Sequence, residues 1–258
     1  MYFLRIFKEG GKELIFKKNT ILEINDRNLS IINNQKLKNL KDVNVDLKNR
    51  NLYLVVEGER VYIKLLTIPK VKKNKIYTIV KNELRFYFKN IEDLIFDYVI
   101  SKELNTSYEI IVFCINSKTL NPFKNYINSN TKIKGVNLIQ FVFLNYFKKY
   151  IKEVNYIMIF YYNSNLYIID ILKKYMLYNT IMKDFNGNEE EFFNEFNYIL
   201  KSHINFNQVL ENIYLVNFQF ENIKSKISKK YNCKELKYDG KEILSYLLRS
   251  WRGTIWRR

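Results

Sequence analysis

Residues 156–170 read YIMIFYYNSNLYIID, two apolar runs parted only by Asn163, Ser164 and Asn165. A break this short cannot carry a crossover, so the two runs must pair antiparallel as a β-hairpin. The asparagines suit the bend, because Asn enters left-handed turn conformations more readily than most residues. The residues beyond the hairpin constrain the chain further. A third apolar strand is expected over 175–182, a turn over 184–188, and then a helix opened by Glu189, Glu190 and Glu191, acids that favour a helix N-terminus. A strand at 213–216, a helix over 221–231 and a short strand at 235–238 complete the series.

The first half repeats strand-rich segments before its helices. Short runs at 3–7, 13–16, 20–24 and 29–32 are punctuated by Gly10-Gly11, Asn25-Asp26 and Asn33-Asn34. Runs at 52–56 and 61–66 flank Glu57-Gly58-Glu59-Arg60, which predicts a hairpin. After Ile68-Pro69 the period changes, and Ile76, Ile79, Val80, Leu84 and Tyr87 follow helical spacing. Strands are expected at 94–100 and 108–115, then a short helix containing Pro122-Phe123, a link TKIKGVN, and a longer helix over 138–150. Strands, helices, then a second batch of both define an α/β chain in two successive blocks.

At 258 residues, with 47% hydrophobic and 16% aromatic side chains, the chain can bury a sizeable core. Its longest apolar runs fall far short of the roughly 20 residues of a membrane span. Arg5, Lys8 and Glu9 interrupt any signal-peptide core at the start, so a cytoplasmic protein is expected. The net charge of +17 suggests an anionic partner, yet the lysines are dispersed and accompany an abundance of Asn, Ile and Tyr. A solvated basic surface is therefore favoured over a dedicated nucleic-acid site.

Few side chains offer catalytic chemistry. Cys114 and Cys233 form no ligand spacing, and Cys114 in IIVFCI reads as a buried thiol. The single histidine, His203, suits the edge of a packed helical face. Glu92-Asp93 reads as a turn and the three glutamates as a helix start, so no separated carboxylate pair emerges. No catalytic residue, metal site or enzymatic activity is expected. The tail SYLLRSWRGTIWRR sets Trp251 and Trp256 among Arg249, Arg252, Arg257 and Arg258, a mixture suited to an anionic membrane surface, a protein groove or a helix end.

The order of elements in the second half resembles the second lobe of actin-like proteins. With LTIPK, the helix NKIYTIVKNELRFYF, the strands DLIFDYVI and SYEIIVFCI, and KIKGVNLIQFVFLNYF, the chain resembles PilM of type IV pilus assembly. A relative of PilM is the cytoplasmic region of the type II secretion protein GspL. The resemblance is strongest over 61–238. It implies an actin-like (ribonuclease H-like) two-lobe α/β fold: a first lobe over 1–152 with a small α/β subdomain inserted at about 65–134, and a second lobe over 153–258 including the tail. It also implies a scaffold on the inner face of the cell membrane, bound to a PilN-like membrane protein and contacting an assembly ATPase and a platform protein. The partner groove of the family points here to Leu66, Ile68, Pro69 and Phe141.

Nucleotide binding in this class uses two Asp-x-Gly phosphate hairpins and a Gly-Gly pair near the adenosine, because glycine lets backbone amides approach phosphate closely. Here LRIFKEGGKELIF lacks the aspartate, Tyr161-Tyr162-Asn163 stands at the second hairpin, and Val216-Asn217 replaces the glycine pair. All three elements depart together. No carboxylate near the hairpin turn is evident to anchor Mg²⁺. No cofactor is therefore expected, and Asn163, Ser164 and Asn165 mark a degenerate phosphate position. The alternatives are an ATP-binding member with unfamiliar phosphate loops, or a basic nucleic-acid-binding protein.

Overall fold

The computed structural model describes residues 19–25, 29–33, 36–39, 47, 50–126, 131–205, 210, 212–240, 242–243 and 245–246. The chain divides into two compact units, Met1–Phe141 and Val142–Arg258. The sequence alone suggests a break after residue 152. The observed division falls earlier, inside a helix.

In the first unit β1 (Asn19–Ile24), β2 (Leu29–Asn33) and β3 (Lys36–Asn39) form an antiparallel meander. β4 (Asn51–Val56) joins β1 in parallel. Its run NLYLVV is buried from Leu52 onward, as a strand covered on both faces must be. The chain then leaves the sheet. β5 (Tyr62–Pro69), β6 (Leu94–Glu103) and β7 (Ser107–Asn116) make a separate antiparallel sheet in the order β5-β7-β6. Helix α1 (Lys73–Tyr87) lies across it, presenting Ile76, Val80 and Leu84 to Leu66, Ile68, Ile110 and Val112. Spacing of four residues keeps those three apolar side chains on one stripe. The chain returns as β8 (Lys132–Leu138), parallel to β4, so the main sheet runs β3-β2-β1-β4-β8.

Two sequence expectations change here. The segment 57–60 is no hairpin, because β4 and β5 belong to different sheets; Gly58, at φ 73°, turns the chain out of one and toward the other. The expected link TKIKGVN is the strand β8 itself. Gly135 hides it from pattern reading, and it faces Tyr53 just after the register shift between Leu52 and Tyr53. The inserted strands and helix thus occupy the stretch between β4 and β8.

The second unit repeats the plan. β9 (Tyr156–Tyr162), β10 (Asn165–Leu172) and β11 (Tyr175–Met182) form a meander. β12 (Asn212–Val216) runs parallel to β9, and β13 (Cys233–Leu236) parallel to β12. The order β11-β10-β9-β12-β13 matches that of the first sheet. Helix α2 (Ile139–Phe147) precedes β9, α3 (Glu189–Asn205) follows β11, and α4 (Glu221–Ser228) links β12 to β13. Alternation along β9 decides the packing. Ile157 and Ile159 share a core with Phe192, Phe196, Ile223 and Ile227 of α3 and α4. Phe160, of opposite parity, stacks on Phe143 of α2. Three antiparallel strands followed by two parallel ones, present twice, make this an actin-like, ribonuclease H-like fold with a subdomain inserted in the first unit.

Candidate functional site

Ligands of α/β sheets sit beyond the carboxyl ends of the parallel strands. In the second unit those ends bring together the turn after β9, Asn217 after β12 and Tyr238 after β13. Asn163 (φ 46°) and Ser164 (φ 65°) both take the left-handed conformation of a type I′ turn, and Asn165 pairs with Tyr162. The three residues marked from sequence therefore do form the turn of the hairpin. Two of its oxygens are engaged in folding. The Ser164 carbonyl accepts from the Phe185 amide at 2.8 Å, and the Asn165 side-chain oxygen accepts from the Asp184 amide at 3.3 Å. Tyr161 donates to the Phe185 carbonyl at 3.5 Å and meets Phe220 edge-on, while Tyr162 meets Phe143 edge-on. The two tyrosines pack on opposite faces of the strand, as alternation requires.

Folding also brings an acidic residue whose nearness the sequence hides. Asp184 follows β11, 19 residues beyond Asn165, yet its backbone lies beside the hairpin turn. One carboxylate does not make a metal site: among the described residues no group of three or more His, Cys, Asp or Glu side chains could hold a metal ion.

At the position of the glycine pair, Asn217 keeps the left-handed backbone, with φ 45°. Its amide donates to the Leu236 carbonyl at 3.1 Å, and its side chain clamps the next strand. Nδ2 donates to the Tyr238 carbonyl at 3.0 Å, and Oδ1 accepts from the Tyr238 amide at 3.2 Å. Asn217 retains the bend of a glycine while adding a side chain that ties two strands together.

The first unit has polar groups at the corresponding strand ends. Glu57, fully buried after β4, donates its amide to the Ile24 carbonyl at 2.8 Å and accepts from Asn25 Nδ2 at 3.4 Å. Gln140, in the first turn of α2, donates to the Glu59 carbonyl at 2.7 Å, and its buried Oε1 accepts no hydrogen bond. Sequence reasoning missed this pair, since nothing in the pattern shows that the chain around residue 57 meets residue 140. The first expected hairpin, with Gly10 and Gly11, lies outside the described residues.

A third polar cluster lies at the opposite, amino ends of the strands in the second unit. Glu153 accepts from Asn212 at 2.6 Å, from Lys234 at 2.5 Å, from the backbone amide of Lys152 at 3.1 Å, and from the Tyr214 hydroxyl. These bonds, Lys234 first and Tyr214 next, pull its carboxyl from the ordinary 4.5 down to about 2. A cavity of about 350 Å³ there is lined by Tyr150, Lys152, Glu153, Tyr214, Lys234, Glu235 and Leu236. Glu153 pairs with Lys234 within it, and Glu235 pairs with Lys224 at 2.6 Å, which suits an architectural role at the base of the sheet. Burial pushes the Cys114 thiol up to about 12, so it stays protonated and unreactive.

The partner residues proposed from sequence separate by strand parity. Leu66 and Ile68 are buried beneath α1, and Pro69 is exposed at the end of β5. Phe141 is buried, its ring edge-on to Phe113 of β7 at 5.3 Å. Phe113 belongs to the sheet face opposite α1, the face that also carries Leu65, Thr67 and Pro69. Trp251, Arg252, Trp256, Arg257 and Arg258 lie outside the described residues.

Fold and site together define an actin-like fold whose first hairpin turn in the second unit is built from Asn163 and Ser164. No family model matches the sequence, and no curated protein does. Solved structures do share its fold. A PilM–PilN type IV pilus biogenesis complex aligns over 88% of this chain and 89% of that one, with 11% identity and a TM-score of 0.58. The cytoplasmic domain of EpsL, an inner-membrane component of the type II secretion system of Vibrio cholerae, aligns over 90% and 94%, with 6% identity and a TM-score of 0.51. A Bacteroides thetaiotaomicron protein of unknown function with an actin-like ATPase fold aligns over 91% and 98%, with 14% identity and a TM-score of 0.47. At these identities the likeness to the PilM–PilN complex and to the EpsL domain is one of fold. Among the described residues no helix is long and apolar enough to cross a membrane.

Proposed function

We propose that this chain is a scaffold of a type IV pilus or type II secretion assembly at the inner face of the cell membrane. In this reading it binds the N-terminal segment of a PilN-like membrane protein and links it to an assembly ATPase and platform protein, without binding nucleotide. The observation that carries the reading is the pairing of two features. The chain, with its subdomain between β4 and β8, shares its fold with the PilM–PilN complex and the EpsL domain, and two oxygens of the hairpin turn of the second unit are engaged in folding. Tyr161 and Tyr162 add bulk where a phosphate-binding turn keeps glycine.

The partner segment is placed against the face of the inserted sheet opposite α1. Leu65 is 51% exposed there, beside exposed Thr67 and Pro69, and Phe113 of the same face is buried against Phe141. An extended peptide presenting apolar side chains at alternate positions suits such a strand. Calorimetry with a synthetic N-terminal segment of a PilN-like protein tests this. The wild-type chain is expected to bind at about 10 μM or tighter, and Leu65→Asp to weaken binding about tenfold or more by setting an unpaired charge against apolar side chains. Unchanged affinity in Leu65→Asp removes this surface from the reading.

A second calorimetric titration uses ATP with Mg²⁺. No heat of binding is expected at nucleotide concentrations up to about 1 mM. A micromolar dissociation constant would return the chain to the ATP-binding members of its fold.

A further inference from the structure

The inserted subdomain ends in a patch unlike the rest of its surface. Phe86, in the last turn of α1, is 83% exposed, and its neighbour Tyr87 is 49% exposed. Tyr62, at the start of β5, is 52% exposed and meets Phe88 edge-on at 5.2 Å. Lys64 places its Nζ 3.7 Å from the centre of the Tyr87 ring, which ties the beginning of β5 to the end of α1. Among the described residues of the first unit, every exposed large aromatic ring lies in this one tip.

The tip is also basic. Arg85 and Lys89 flank Phe86, and Arg85 is held by Asn82 through a hydrogen bond of 3.1 Å. The nearby acids Glu92 and Asp93 are paired with Lys81 and Lys118, and Glu83 is the acid that α1 itself carries toward this end. Cations at a helix C-terminus are favourable to the helix dipole on their own account. The dipole explains Arg85 and Lys89 but gives no reason for three aromatic rings in solvent beside them.

We propose that this tip rests on an anionic lipid surface. Aromatic rings at headgroup depth with Lys and Arg reaching lipid phosphates are the chemistry of an interfacial contact. A ring with 83% of its surface in solvent stands on a convex end rather than in a groove, which favours a membrane over a peptide partner. The tip lies at the start of β5, whereas Pro69 closes the other end, about 23 Å away at the rise of an extended strand. Tyr62 and Lys64 share the parity of Leu66 and Ile68, on the α1 side of β5, whereas Leu65, Thr67 and Pro69 lie on the other side, so lipid contact and partner binding use opposite faces of one strand and are measured separately.

Flotation of the full chain with phosphatidylcholine vesicles, with and without phosphatidylglycerol, tests the proposal. Binding is expected only with phosphatidylglycerol, falling about tenfold or more in a Phe86→Ser, Tyr87→Ser double variant and likewise in an Arg85→Glu, Lys89→Glu variant. Circular dichroism on both variants reports that the fold is retained, and the calorimetric titration with the PilN-like segment is expected to be unchanged. Three results overturn the proposal: no vesicle binding by the wild type; full vesicle binding by both tip variants, with loss instead in Trp251→Ala, Trp256→Ala; or loss of a soluble acidic partner in the tip variants with vesicle binding intact.

Discussion

Phe143→Ala is expected to destabilise the second unit by about 3–5 kcal/mol. Phe143 is fully buried and stacks on Phe160 with ring centres 4.1 Å apart and planes within 8°. It also meets Tyr162 and Tyr238 edge-on, at 5.7 Å and 5.0 Å. Phe160 in turn stacks on Tyr167 at 4.5 Å, so one ring supports a chain of others from α2 across β9 to β10. Truncation loses the transfer energy of the ring, leaves a cavity that stiff aromatic neighbours fill poorly, and removes ring contacts worth about 0.5–1.5 kcal/mol each. Equilibrium unfolding in urea reads the effect as a lower midpoint at an unchanged slope. Phe86→Ala is the matched control. The ring is exposed, and its loss is expected to change stability by no more than about 0.5 kcal/mol.

Glu153→Ala is expected to cost about 2–3 kcal/mol at neutral pH, and its signature is a change in pH dependence. Asn212 and Tyr214 are buried, and without the carboxylate their donors lose their acceptor, at about 1–3 kcal/mol for a buried group. Lys234 is half exposed and regains water, so its share is small. The folded carboxyl titrates at about 2, below its ordinary 4.5. Its contribution is therefore fully present above about pH 4.5 and is lost as pH falls from there through about 2. With solvent screening allowed for at this partly exposed group, that part of wild-type stability is about 1–2 kcal/mol. Urea midpoints between pH 2 and 7 are expected to slope in the wild type and to lose that slope in Glu153→Ala. A parallel slope in both proteins would assign the acid sensitivity to other carboxylates.

Much of the second unit is legible in the order of its residues. The hairpin at 163–165, the strand over 175–182 and the acid-started helix appear where local pattern places them, because a two-residue turn and a helix N-terminus are decided by neighbours in sequence. Helix α1 is legible for the same reason, since Ile76, Val80 and Leu84 form a complete stripe. The first unit is harder to read. A parallel strand such as β8 owes its conformation to β4, about 80 residues earlier in the chain, and Gly135 with its lysine neighbours carries little strand propensity. Residues 57–60 have the residues of a hairpin turn, yet β4 takes parallel partners on both sides and leaves β5 to another sheet.

Site residues divide along the same line. That the hairpin turn lacks the Asp-x-Gly pattern is a property of residues 161–163 and needs no structure to see. That Asp184 stands beside this turn, that Asn217 clamps Tyr238, and that Gln140 reaches the chain after β4 emerge only once the strands are side by side. Parity within β5 is the sharpest case. Leu65 and Leu66 are equivalent as letters, but α1 covers one face of the inserted sheet, so Leu66 becomes core and Leu65 becomes surface. Sequence alone determined the alternation, the turns and the departure of residues 161–163 from the Asp-x-Gly pattern, because each depends on a few adjacent residues. Only the tertiary structure decided which face of each strand is covered, because that depends on elements brought in from elsewhere in the chain.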